Sequence, residues 1–162
     1  MAASADAAAR AEATRWVDEL RSARLSAGYP RDRLADALGV GVATVRSWES
    51  GRRIPSLVNL IKLGRELGQQ LVIVGRNGSV RPVRTAVRPG EVWEHREIRS
   101  LIAVLRGVRH DAGITQDELG AAVGVSAWSI AQFERGRLHP RPAVLAALIV
   151  ALACEARWHA VV

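Results

Sequence analysis

One short pattern occurs twice in this 162-residue chain, at a constant offset of 85 residues. The first run reads Arg24, Gly28, Leu34, Gly39-Val40, Glu49, Gly51-Arg52 and Pro55. The second reads Arg109, Gly113, Leu119, Gly124-Val125, Glu134, Gly136-Arg137 and Pro140. Apolar positions alternate with glycines and a proline, residues that stop helices, so each run predicts short helices joined by tight turns. Self-similarity of this kind means one small unit used twice. A unit of about 60 residues buries only ~60% of its unfolded surface, so each is marginal alone and gains by packing on the other.

Trp16, Val17, Leu20, Ala23 and Arg24 recur at helical spacing and predict a helix over 5–26, stopped by Gly28. Further helices are predicted over 31–38, 42–49 and 56–67, with Leu34, Ala35, Val45, Trp48, Leu57, Leu60 and Ile61 inward. The period then changes, and residues 70–74 read as a strand ended by Gly75 and Gly78. Residues 76–90 form a basic linker holding Arg76, Arg81, Arg84 and Arg88 and no acid, with a hairpin on its near side. The second unit repeats the plan with helices over 91–110, 116–123, 127–134 and from Pro142 to about 154, and a strand-like run over 156–162. Thr115 and Glu118 are spaced as a capping box at the start of the sixth helix. The division is therefore 1–75, a linker at 76–90, and 91–162, in a mainly all-α fold.

The formal net charge is +7, and Lys62 is the only lysine among 23 basic residues. Arginine in place of lysine fits a GC-rich genome, bacterial or phage. It also suits phosphates and guanine edges, because the guanidinium is a planar fork of donors. Cys154 is the only cysteine, which excludes an intrachain disulfide and leaves a small buried hydrophobe in an apolar helix. His95, His110, His139 and His159 have no metal-ligand spacing, and there is no phosphate-binding glycine loop or nucleophile elbow, so no enzyme, metal or cofactor is expected. No apolar run approaches a membrane span, and the first ten residues carry neither a basic leader nor a strongly apolar segment. The expected setting is the reducing cytoplasm, at the nucleoid.

Both runs resemble the Cro/CI-type, lambda-repressor-like helix-turn-helix domains of the XRE family. The second copy carries Thr115-Gln116, Leu119, Gly124-Val125-Ser126, Phe133-Glu134, Gly136 and Pro140; the first carries Leu34-Ala35, Gly39-Val40, Trp48-Glu49, Gly51 and Pro55. The match covers residues 16–68 and 98–153. The first copy departs from the pattern at Arg31, where the family has Gln, and at Pro30, where a hydroxyl cap is common; the second has Gly120 for the usual Ala.

The resemblance implies a sequence-specific regulator of double-stranded DNA, most simply a repressor, with helices 42–49 and 127–134 as its readers. Base-reading positions would be Val42, Ala43, Arg46 and Ser47 in the first copy, and Ala127, Trp128, Ala131 and Gln132 in the second. Arg46 suits guanine and Gln132 adenine, while Val42, Ala43 and Ala127 suit thymine methyls. Trp128 would either touch bases or pack on the neighbouring unit. Phosphate contacts would come from Arg31, Thr44, Arg52, Arg53, Gln116, Ser129 and Arg137. Arg24 with Glu49 and Arg109 with Glu134 would be the family's internal ion pairs, tying helix one to the reader's end. Some repressors and antitoxins of this kind pair a terminal strand with that of a second subunit. Here residues 70–75 and 156–161 would pair antiparallel within one chain, giving a monomeric pseudo-dimer with no edge left for a partner. The alternatives are an antitoxin or antirepressor that binds a protein antagonist or toxin, and a chain in which only one copy reads DNA.

Overall fold

A computed structural model describes residues 2–80 and 85–161; Arg81, Arg84 and Val162 fall outside the described residues. The first repeat comprises α1 (Ala2–Ser26), α2 (Arg31–Leu38), α3 (Val42–Glu49), α4 (Leu57–Glu66) and β1 (Gln69–Val74). The second comprises α5 (Trp93–Asp111), α6 (Gln116–Val123), α7 (Ala127–Glu134), α8 (Pro142–Ala151) and β2 (Glu155–Ala160). The helices α2, α3, α6 and α7 occupy the spans expected from sequence, because their ends are written in local chemistry. Gly39 and Gly124 close α2 and α6 in the left-handed region, at φ 68° and 76°. Thr115 and Glu118 make the reciprocal capping box of α6. The tail of α8 differs: the helix stops at Ala151, Ala153 turns to φ 54°, and Cys154 is buried in the turn that follows, outside any helix.

β1 and β2 pair antiparallel, from Gln69 opposite Ala160 to Val74 opposite Glu155. At the centre Val72 faces Arg157, which is its own counterpart 85 residues later. A residue facing its repeat equivalent marks a pseudo-twofold axis, and the two repeats are arranged around it like subunits of a dimer. The expectation of an edge-free sheet needs correction, since a two-stranded sheet leaves each strand an outer edge. Val74 also bridges Val80, which gives the linker its hairpin-like start.

The helices interlock across the same axis. α1 packs on α8, and α5 packs on α4, so each first helix covers the other repeat's fourth. A single apolar cluster runs through both repeats, with Trp16, Leu60, Leu71, Ile98 and Leu145 among its fully buried members. Each such side chain contributes about 1.5–3 kcal/mol by leaving water. Polar contacts fasten the seam: Trp158 Nε1 donates to the Trp16 carbonyl at 3.0 Å, Gln70 Nε2 to Glu97 at 3.0 Å, and the Arg65 guanidinium lies 4.1 Å over the Trp93 ring.

Candidate nucleic-acid interface

Each reader is aimed by the core beneath it. Val45 and Trp48 of α3 are buried, as are Ile130 and Phe133 of α7, so an eight-residue helix has one face fixed and the other turned out. Val42, Ala43 and Arg46 are exposed on α3, with Ser47 half-buried. On α7, Trp128 is 64% exposed, so it does not pack on the neighbouring unit. Ala127 and Ala131 beside it are half-buried. Gln132 is the least exposed of the expected reading residues. It is only 7% exposed, next to the buried Phe133.

The buried ion pairs sit behind the readers. Arg24 grips Glu49 with two hydrogen bonds, Nε to Oε1 at 2.6 Å and Nη2 to Oε2 at 3.0 Å, while its Nη1 donates to the Tyr29 carbonyl at 2.9 Å. Arg109 does the same to Glu134 at 2.6 and 2.9 Å, and donates to the Ile114 carbonyl at 2.8 Å. Each arginine thus locks helix one, the following turn and the end of the reader together. Burial alone would raise the Glu49 carboxyl. Hydrogen bonds from Arg24 and Arg31 outweigh it and hold the group below its ordinary value. Glu134 is held down in the same way against its burial, by Arg109 and Gln116.

The candidate phosphate residues divide into anchored and free. Arg31 Nε donates to Glu49 at 2.9 Å and Gln116 Nε2 to Glu134 at 2.8 Å, so both are oriented from behind with donors left over. Arg52, Arg53 and Arg137 stand exposed on the loops after the readers. Thr44 and Ser129 are half-buried at the reader N-termini, where the Ser129 hydroxyl lies 3.0 Å from that of Ser126. Gly120 has a steric reason: a Cβ there would lie 2.6 Å from the Val125 carbonyl oxygen, so α6 approaches the turn too closely for alanine.

Sequence reading missed two groupings, because neither follows the repeat. Arg88 of the linker and Arg106 of α5 reach the second reader's loop. His95 and His139 meet edge-on with ring centroids 4.6 Å apart, and burial, then the neighbouring ring, lowers the His139 pKa. Among the described residues no three His, Cys, Asp or Glu side chains gather as a metal site, and no helix is long and apolar enough to cross a membrane.

Residues 20–73 match a family model described as "Helix-turn-helix", and residues 101–157 match a second described as "Helix-turn-helix domain". No curated protein and no solved structure matches the chain. Both matches fall on the two reader units and run on into their closing strands. The chain belongs to the XRE-like helix-turn-helix regulators, DNA-binding proteins, and carries two of their domains in tandem.

Proposed function

We propose that the chain is a single-chain repressor whose two readers, α3 and α7, enter successive major grooves of one double-stranded operator. The observation that carries this is the ladder centred on Val72 and Arg157, which relates the readers by a pseudo-twofold axis within one polypeptide. Dimeric helix-turn-helix proteins read two half-sites through the same symmetry, about 10 base pairs apart or a multiple of that. Residues 1–75 and 91–162 take the place of the two subunits, joined by residues 76–90, and the working species is a monomer.

The half-sites should differ, because the exposed faces differ. Arg46 offers a fork for guanine O6 and N7. The second reader offers Trp128, Ala127 and Ala131, an apolar surface suited to thymine methyls. Arg31, Arg52 and Arg53 on one side, and Gln116 and Arg137 on the other, contact phosphates and fix register. Repression is the simplest output, since occupancy of the operator excludes other proteins without any further contact.

Selection of bound duplexes from a random pool, with the native mass of the complex measured alongside, tests the reading. One chain per site and two dissimilar half-sites are expected, with affinity falling steeply as salt rises. Two chains on a symmetric site, or retention of a small protein and no duplex, would sink it; the second result is that of an antitoxin. Arg46→Ala should cost about 1–3 kcal/mol of operator binding and relax sequence preference in one half-site only, whereas Trp128→Ala should relax the other.

A further inference from the structure

The second reader has fewer cations of its own than the first: Gln116 stands for Arg31, Leu138 for Arg53 and Ala131 for Arg46. The linker supplies one. Thr85 Oγ1 lies 2.8 Å from Ser100 Oγ, and Arg99 donates to the Ala86 carbonyl at 2.6 Å and to Glu91 at 2.7 and 2.8 Å. Glu91 also accepts the Arg88 backbone N–H at 3.3 Å. Arg99 pulls the Glu91 carboxyl down to about 2, so this clasp stays charged across the working pH range. Residues 85–91 are thereby strapped along α5, and the Arg88 side chain reaches the end of α7, where Nη1 and Nη2 both lie 3.3 Å from the Arg135 carbonyl.

That contact uses two of five guanidinium donors. Arg88 also lines an open cleft of about 540 Å³, together with Arg106, Arg135, Arg137 and Gln116. The one carboxylate lining it, Glu134, is already paired with Arg109, and stands 3.8 Å from Arg106. Among the described residues, four arginines therefore share a cleft with no free counter-charge lining it, an arrangement that an anion relieves. The cleft adjoins both Gln116 and the loop bearing Arg137, the phosphate positions of the second reader. The first repeat has no equivalent, because the position 85 residues before Arg88 is Ala3, inside α1.

We infer that Arg88 is a DNA-backbone contact: the linker strap carries it onto the second reader, where with Arg106, Arg135 and Arg137 it clamps one phosphate of the duplex. This rests on the chain being a duplex binder, and adds a contact from outside either helix-turn-helix unit. The test compares wild type, Arg88→Ala and Arg88→Lys on random-sequence duplex DNA across a salt series, with melting followed in parallel. Arg88→Ala should weaken binding to every sequence alike and reduce the slope of log affinity against log salt by about one. Arg88→Lys should keep the slope. An Arg88→Ala slope equal to that of wild type overturns the clamp, whatever the melting temperature. So does an Arg88→Lys variant that loses as much as Arg88→Ala, because the residue would then only cap α7. Absence of salt-dependent binding by the wild type is a different failure, that of the duplex-binding reading itself.

Discussion

The first reader leaves the N-termini of α2 and α3 without side-chain caps, at Pro30 and Gly41, whereas the second caps both, at Thr115 and Ser126. The first instead carries arginines at positions 31, 46 and 53 where the second has Gln116, Ala131 and Leu138. One scaffold has thus been tuned in two directions. On the proposed reading, open helix amides and the exposed guanidinium groups of Arg46 and Arg53 suit the first to phosphate, at some local cost in stability. Local caps and an apolar face make the second more self-sufficient and more dependent on cations brought from elsewhere. A symmetric dimer could not hold both solutions, because each change would appear twice.

The largest expected effect separates the two ion pairs. Arg24→Ala leaves Glu49 with Arg31, a charged partner at 2.9 Å. Arg109→Ala leaves Glu134 with the neutral amide of Gln116 and only the exposed Arg106 at 3.8 Å. Breaking a buried pair costs about 3–5 kcal/mol, and Arg109→Ala should reach that range while Arg24→Ala falls short of it. Chemical denaturation of the two variants checks the order, and equal losses would show that Arg31 does not substitute. Both carboxyls lie below their ordinary value of 4.5 in the folded chain. Their stabilisation is therefore complete above that value and is lost as pH falls below it toward the folded pKa. Acid unfolding of wild type should show this loss, and Arg109→Ala should flatten it.

The seam between the repeats offers the next contrast. A Cβ on Gly64 would sit 2.3 Å from the Trp158 ring, and their repeat counterparts are Ile149 and Ile73, both buried. A glycine and a tryptophan thus stand on one side of the axis where the equivalent positions on the other hold two buried isoleucines. Gly64→Ala should cost about 1–3 kcal/mol by overpacking. Combined with Trp158→Ile it should cost less than the two single changes added together, because the clash and the cavity relieve each other. Strict additivity in a double-mutant cycle would mean that the two sites do not share one packing volume.

How much of this the sequence carried depends on whether the determinant was local. The reader spans were legible because glycines and caps mark helix ends within a few residues. The strand pairing was legible because the same β-type run closes both repeats and lacks any partner but its counterpart. The depth at which Gln132 sits was not legible, because neighbouring positions on a helix point about 100° apart and sequence alone does not fix how far each is covered. Its counterpart Ser47 keeps partial exposure on α3. Arg88 was illegible because it acts on Arg135, 47 residues away, from a stretch whose repeat counterpart is helix. The Gly64 and Trp158 fit did leave a signal, since two repeat positions diverge together in size, but only the packing shows that they touch.

The smallest expected effect lies where the chain leaves the fourth helices. The first repeat makes this exit at Gly68, φ 67°, and the second at Ala153, φ 54°, the only non-glycine residue with positive φ among those described. The geometry is shared: Gly68 N donates to Arg65 O at 3.0 Å, and Ala153 N to Val150 O at 2.9 Å. An L-residue pays roughly 1–2 kcal/mol for the left-handed conformation, since its Cβ crowds the following carbonyl. Ala153→Gly removes that strain but makes the unfolded chain more flexible, so the net gain should be about 0.5–1 kcal/mol, seen as a rise of ~1–4 °C in melting temperature. Gly68→Ala should lower it by a similar amount. Neither change touches a reader, so duplex affinity should stay at the wild-type level in both. Opposite signs at these two equivalent positions would show that the asymmetry of the repeats extends below the readers into the scaffold. A neutral or destabilising Ala153→Gly would mean instead that the second repeat has adapted its exit turn to alanine.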